Sequence, residues 1–274
     1  MRLCADGYEG TGYAVDRQVT STLDFYPKSL GFSPVPDRAA IVTGASRGIG
    51  FALAETLGEE GFALTITARK PETLQQAATR LRDRGFEVEE VVANLNDEEG
   101  VREVVERHRE RYGRLDVLVN NAGVGIGAPA SAHQTKHIDL QLDVNLRAII
   151  LFYRECADLL RAAGAEHRNA LVINMSSIAG KSPQAWLSVY SATKAAVAAY
   201  SVSMNKELAK HGVKSVAFAP GFVDTDMSDY IKDKVPAEEM LRTSDVAEGL
   251  RFVLRVSPTC LIPEIVFQRP GEIV

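Results

Sequence analysis

Cysteine is scarce. The chain holds three in 274 residues, Cys4, Cys156 and Cys260, odd in number and without a CxxC pair. That excludes a disulfide framework and a four-thiolate zinc site, and reads as reduced thiols in an intracellular protein. Histidine is equally thin. His133 and His137 stand four apart but have no partnering carboxylate cluster, so no metal is expected. An excess of basic charge is missing too: 31 Lys and Arg face 36 Asp and Glu, a formal net charge of -5, which removes the electrostatic case for nucleic acid. No apolar run approaches the roughly 20 residues that span a bilayer, so no membrane partner is expected. The chain does not open on basic residues followed by an apolar stretch, so no secretory signal is expected and the cytoplasm is the expected location.

What is present is ordinary for a globular protein, 46% hydrophobic and 24% charged residues, at a length that suits one large α/β domain. Residues 1–37 stand apart, with no period of 2 or 3.6 and a closing Pro34-Val35-Pro36; they read as an N-terminal extension. After them, short Val/Ile/Leu/Ala runs alternate with helical patterns. Strands are predicted over 39–42, 62–68, 88–93, 115–119, 170–175, 215–219 and 264–267. Helices are predicted from Phe51, from Pro71, over 97–111, as one long helix over 134–163, over 188–210, and from a Thr243-Ser244-Asp245 cap to about Leu254. Near-continuous apolar strands alternating with helices predict a single doubly wound Rossmann-type domain over 38–274, a seven-stranded parallel sheet with helices on both faces. Ligands are then expected at the carboxyl ends of the strands.

Two stretches carry chemistry. Gly44, Gly48 and Gly50 lie between the first strand and first helix. Exposed backbone N–H groups and the positive helix end make such a turn a phosphate site. The spacing, G-x-x-x-G-x-G, differs from the G-x-G-x-x-G of many dinucleotide binders. The second stretch is Ser176–Lys194, with Tyr190 and Lys194 four apart and Ser177 thirteen positions before the tyrosine. On a helix, positions four apart share a face. A phenol beside an ammonium is a plausible acid/base pair, because the cation favours the phenolate. A core tyrosine with a solvated lysine beyond it would look the same, Ser177 could be a strand-end cap, and Asn145 a polar residue inside a helix.

Thr43–Gly50 (TGASRGIG), Asn120–Gly123 (NNAG), Asp143–Asn145 (DVN), Ser177 with Tyr190 and Lys194, and Pro220–Thr225 (PGFVDT) together resemble the short-chain dehydrogenase/reductase family, in matching order and spacing from about residue 38 onward. The nearest branch in appearance is that of the 3-oxoacyl-[acyl-carrier-protein] reductases. The resemblance implies a catalytic tetrad of Asn145, Ser177, Tyr190 and Lys194. Tyr190 would exchange a proton with the substrate oxygen, Ser177 would hydrogen-bond it, Lys194 would hold the nicotinamide ribose and lower the Tyr190 pKa, and Asn145 would hold a water in a proton relay. It implies cofactor contacts from Gly44, Ser46, Arg47, Gly48, Ile49 and Gly50, from Asn94 and Leu95 at the adenine, from Asn121, Ala122 and Gly123, and from Pro220, Gly221, Val223 and Thr225 near the nicotinamide. At the end of the second strand, where a carboxylate would select NAD, Ala68 is followed by Arg69, so NADP(H) is expected ahead of NAD(H).

The implied activity is an NADPH-dependent oxidoreductase interconverting a carbonyl and a secondary alcohol, with 3-oxoacyl thioesters among its substrates. A non-catalytic NADP-binding regulator or scaffold on the same fold is the alternative, and the intact tetrad argues against it. An epimerase or dehydratase of the extended branch is a further rival, opposed by the compact length after residue 37. The substrate pocket is expected from three pieces: Gly180–Leu187, the region after Gly123, and the irregular stretch 222–242 with Phe222, Met227 and Tyr230. The resemblance also implies a homodimer or homotetramer, although the last strand is followed by Gln268-Arg269-Pro270-Gly271 and not by the Asp-Gly-Gly common in the family.

Overall fold

Residues 37–271 are described in the computed structural model. The expected N-terminal extension therefore lies, apart from Asp37, outside the described residues. Seven strands form one sheet: β1 Ala39–Thr43, β2 Ala63–Ala68, β3 Val88–Val92, β4 Val117–Asn120, β5 Ala170–Met175, β6 Val213–Pro220 and β7 Glu264–Phe267. All neighbours run parallel, in the order β3-β2-β1-β4-β5-β6-β7. The helices are α1 Gly48–Glu59, α2 Pro71–Asp83, α3 Glu98–Tyr112, α4 Thr135–Leu142, α5 Ala148–His167, α6 Ser188–Leu208 and α7 Thr243–Arg255. No helix among the described residues is long and apolar enough to cross a membrane.

Successive strand residues point to opposite faces, which splits the apolar interior in two. Ala40 and Val42 of β1 join Leu53, Leu57, Leu64 and Leu250 on one face, under α1, α2 and α7. Ile41 joins Leu118, Phe152, Cys156 and Val197 on the other, under α3, α5 and α6. The order reverses between β1 and β4. The chain leaves β1 outward through β2 and β3, then returns to pair β4 on the other side of β1. Their carboxyl ends diverge there, which opens a crevice.

Three expectations differ from the structure. The helix expected over 134–163 is broken: between α4 and α5, Asp143–Arg147 form a π-turn in which the Ala148 N–H donates to the Asp143 carbonyl. β3 is not a buried apolar strand. It is a sheet edge in which Glu89 and Glu90 pair with Arg107 and Arg82, which suits an edge that must not attract another strand. The α7 cap is set one residue earlier than expected, with the Asp245 carboxylate accepting from the Arg242 N–H at 2.8 Å. That is the reach-back half of a capping box.

The seam between β1 and β4 is held by Asp116, 2% exposed. Its carboxylate accepts from the Ala39 N–H at 2.7 Å, from Arg114 Nε and Nη2 at 2.9 and 2.7 Å, and from His167 Nε2 at 2.9 Å. Burial pushes this carboxyl up, and the bonds from Arg114, Ala39 and His167 outweigh it, so the group sits below the ordinary aspartate value. A folded pKa below the unfolded one contributes stability that is complete above the unfolded value and is lost as pH falls through the folded one. Asp116→Ala is expected to lose about 1–3 kcal/mol at pH 7, because it leaves the buried Ala39 N–H without its acceptor and takes from Arg114 the nearer of its two carboxylates. Urea unfolding at pH 7 and in acid checks this: the gap to the wild type should narrow in acid, and a gap that is small at pH 7 or constant with pH refutes it.

Candidate active site

The crevice is built from the turn after β1. Gly44, at φ 65°, adopts the left-handed conformation that lets this turn fold back. A Cβ on it would stand 2.9 Å from Ala122 Cα, so the turn lies directly against the segment after β4. Hydrogen bonds fasten the two. Thr43 Oγ1 accepts from the Asn121 and Ala122 N–H groups at 2.9 Å each, and Asn121 Nδ2 donates to the carbonyls of Thr43 (2.9 Å) and Gly44 (3.2 Å). Helix α1 starts at Gly48 with no side-chain cap and no acidic residue in its first turn. Its first amides are thus left for an anion.

They face a cavity of about 630 Å³. Its walls are the turn Gly44–Gly50, Ala68–Lys70 after β2, Ala93 and Leu95 after β3, Ala122–Val124 after β4, and Thr225. No carboxylate stands at the end of β2; Ala68 is half-buried there and Arg69 and Lys70 are exposed. Arg47 is tied to Asp226 at 2.5 Å, with both side chains more than half exposed. Such a pair contributes at most about 1 kcal/mol and yields readily to a stronger anion. Uncapped amides and bare backbone at Gly44 fit a dinucleotide.

Asn94 does not line this cavity. Its amide donates to Asp97 Oδ2 at 3.2 Å, and Asp97 caps α3. Pro220, Gly221 and Val223 lie outside the lining as well. Pro220 O accepts from Ser177, the Gly221 N–H donates to Phe267 O, and Val223 is buried in a bridge to Leu241. Lys70, Thr73 and Val124 line it without having been singled out in the sequence. The signal for Lys70 was legible, a second cation directly after Arg69.

Ser177, Tyr190, Lys194 and Asn145 come together beside this cavity. Ser177 lies two residues beyond β5, donates toward Pro220 O at 3.4 Å, and accepts from the Ala179 N–H at 3.2 Å, so it caps the short helical turn Ile178–Gly180 and not the strand end. Tyr190 and Lys194 share one face of α6, with Lys194 Nζ 5.6 Å from the Tyr190 ring centre. Lys194 is 4% exposed and donates to Met175 O at 2.7 Å. Burial lowers its pKa to about 8. Burial raises the Tyr190 phenol above its ordinary value, a hydrogen bond with Ser177 opposes that, and the neighbouring Tyr230 adds to it. The depression expected from Lys194 is therefore not seen in the protein alone: two buried groups each favour their neutral form.

Asn145 sits on the π-turn. Its Oδ1 accepts from the Val124 N–H at 2.8 Å, and its Nδ2 donates to Val124 O (2.8 Å) and Thr193 Oγ1 (3.1 Å). A Cβ at Gly123 would come within 3.3 Å of Asn145 Oδ1 and 3.4 Å of Lys194 Nζ, so the cavity wall, the amide and the ammonium converge at that glycine.

A doubly wound sheet with a Gly-rich turn after β1 and a Ser, Tyr and Lys beside it defines a class of dinucleotide-dependent proteins. The chain belongs to the short chain dehydrogenase family, whose sequence pattern matches residues 38–236, and it is an oxidoreductase. An uncharacterized oxidoreductase of Staphylococcus saprophyticus is 32% identical over 220 residues, 80% of this chain and 92% of that one. A metagenomic short-chain oxidoreductase solved in complex with NADP is 32% identical, with a TM-score of 0.73, over 88% of this chain and all of that one. A 3-ketoacyl-(acyl-carrier-protein) reductase from Brucella melitensis, complexed with NADH, is 25% identical, with a TM-score of 0.76, over 85% and 96%.

Proposed function

We propose that this chain is an NADPH-dependent reductase interconverting a carbonyl and a secondary alcohol, with Tyr190 as its acid/base. The observation that carries the reading is the convergence of the Tyr190 phenol, the Ser177 hydroxyl and the buried Lys194 ammonium beside a cavity that opens on the uncapped start of α1. The residues that would hold the cofactor are Ser46–Gly50 at its pyrophosphate, Arg69 at a 2′-phosphate, Leu95 and Ala122 at the adenosine, Lys194 at ribose hydroxyls, and Thr225 near the carboxamide. Bound there, a reduced nicotinamide supplies the hydride.

The chain's own residues do the rest. Reduction builds negative charge on the carbonyl oxygen. Two donors, Tyr190 and Ser177, stabilise that charge, Ser177 by turning its one O–H from Pro220 O toward the substrate oxygen. Tyr190 then gives its proton to the oxygen, and its raised pKa keeps that proton available at neutral pH. Lys194 in its charged form stabilises the phenolate left behind. Asn145 fixes the Val124 segment, and the second lone pair of its Oδ1 is the place for a water that passes protons to Lys194.

NADPH oxidation against ketones, aldehydes, quinones and 3-oxoacyl thioesters tests the activity. The thioesters are included because the sequence resemblance and the Brucella melitensis structure both point to them. No turnover of any carbonyl refutes the reading. The cofactor preference has its own test. Arg69→Glu is expected to raise the Kd for NADPH at least about tenfold, the loss of one charge-assisted contact, and to leave the Kd for NADH within about twofold. A wild-type protein that binds NADH more tightly than NADPH overturns the preference.

A further inference from the structure

Two residues other than glycine have positive φ among the described residues, Arg168 and Trp186. Arg168 is the left-handed cap of α5. Trp186, at φ 63°, ends no helix, and a bulky side chain holds that conformation only where its surroundings impose it. Two other segments impose it. The Ala128 N–H donates to Trp186 O at 2.7 Å. Gly127 lies flat under the indole, where a Cβ would stand 1.9 Å from Cε3 and 2.1 Å from Cζ3. Tyr230 meets the indole edge-on, 5.6 Å between ring centres at 83°. The segments after β4, β5 and β6 thus meet on one tryptophan.

The ring so fixed is left uncovered. Trp186 is 48% exposed, Tyr230 55% and Met227 54%. Large apolar side chains held rigidly in the open mark a place where something apolar docks. They stand next to the reacting group. Tyr230 is close enough to raise the Tyr190 pKa, and a Cβ at Gly125 would lie 3.5 Å from Tyr190 Cδ2.

The charges around this corner oppose an acidic partner. Lys181 is paired with Glu264 at 2.7 Å, and Lys232 with Asp224 and Asp229 at 3.0 and 2.8 Å. The stretch 222–242 carries four aspartates and two glutamates against Lys232, Lys234 and Arg242. An acidic carrier protein would meet net repulsion there.

We propose that Trp186 and Tyr230 form an aromatic corner beside Tyr190 that selects rigid, uncharged ring ketones over the open-chain thioesters of an acidic acyl carrier. This rests on the carbonyl-reductase reading above. Two rings at nearly a right angle give a substrate one face and one edge to lie against. A rigid ring system contacts both without losing internal rotations, whereas a flexible chain must freeze them first.

Trp186 is the only tryptophan of the chain, so its emission reports on the corner directly. The full-length protein, saturated with NADP⁺, is titrated with 2-decalone, 2-octanone and the acetoacetyl thioester of N-acetylcysteamine, and NADPH oxidation is measured with the same three. Decalone is expected to change the emission saturably at about tenfold lower concentration than the other two, and to have the highest kcat/KM. Trp186→Gly removes the ring and tolerates the backbone conformation. It should lower kcat/KM for decalone about tenfold through KM and for octanone by a clearly smaller factor, so that the preference collapses. Tyr230→Ala, which keeps Trp186 as reporter, should weaken the decalone response in parallel. A thioester or octanone that equals decalone, a preference that survives in both variants, or no emission change with any of the three overturns the proposal. A saturable, decalone-selective response without NADPH oxidation upholds the corner and overturns the reductase reading instead.

Discussion

Tyr190→Phe lowers kcat by about 10²–10⁴-fold, the usual contribution of a positioned proton donor, and leaves the Kd for NADPH within about twofold. The phenyl ring retains the packing against Gly125 and Lys194, so the fold stays intact and the loss is chemical. The pH dependence separates the two directions of reaction. A phenol raised by burial stays protonated through the neutral range, so carbonyl reduction runs there without a pH limit from this group. Alcohol oxidation needs the phenolate, and its rate climbs with pH toward that raised value. In the phenylalanine variant the climbing limb disappears. A variant with wild-type kcat, or one whose oxidation rate keeps the limb, assigns the proton to another group.

Lys194→Met makes the protein more stable at pH 7 while it abolishes turnover. Lys194 is 4% exposed, and burial lowers its pKa from 10.5 to about 8. That shift corresponds to about 3 kcal/mol of unfavourable burial of the charge. The lost bond to Met175 O gives back about 1 kcal/mol, and methionine fills the space of the lysine stem. The net gain is about 2 kcal/mol, or about 4–8 °C in Tm for a domain of this size. Its pH profile identifies the cause. The folded pKa lies below the unfolded one, so the penalty is complete below about 8 and fades as pH rises to 10.5. The advantage of the methionine variant should close over that window. Equal stability at pH 7, or an advantage that does not shrink in alkali, refutes the account. A functional group kept in place at a loss of stability is what active sites display.

Periodicity was enough to read seven parallel strands and the Gly-rich turn, because these depend on local spacing, whereas the grouping of Ser177 with Tyr190 and Lys194 rested on the family resemblance. What escaped depends on partners far along the chain. Helix periodicity over 134–163 shows no sign of a π-turn, because Asn145 is drawn inward by Val124, 21 residues earlier. Arg47 was expected as a cofactor contact, and the sequence does not show that it pairs with Asp226, 179 residues away. Nothing around Trp186 signals a left-handed backbone, since the reason is Gly127 beneath the ring. Asn94 is the exception. Its partner Asp97 is three residues on, at the start of a helix, and that local signal was readable.

The π-turn at Asp143–Arg147 also makes the chain sensitive to counting. It holds one residue more than an α-helix would need, and each helical residue turns the axis by about 100°. On its near side Gln141 secures the backbone of Ile126, and within it Asn145 secures that of Val124. On its far side, Phe152, Cys156 and Leu160 face the sheet. The additional residue lets both halves aim as they do. Many substitutions in this stretch can be absorbed, whereas the loss or gain of a single residue would swing either the active-site tether or a whole core face out of line.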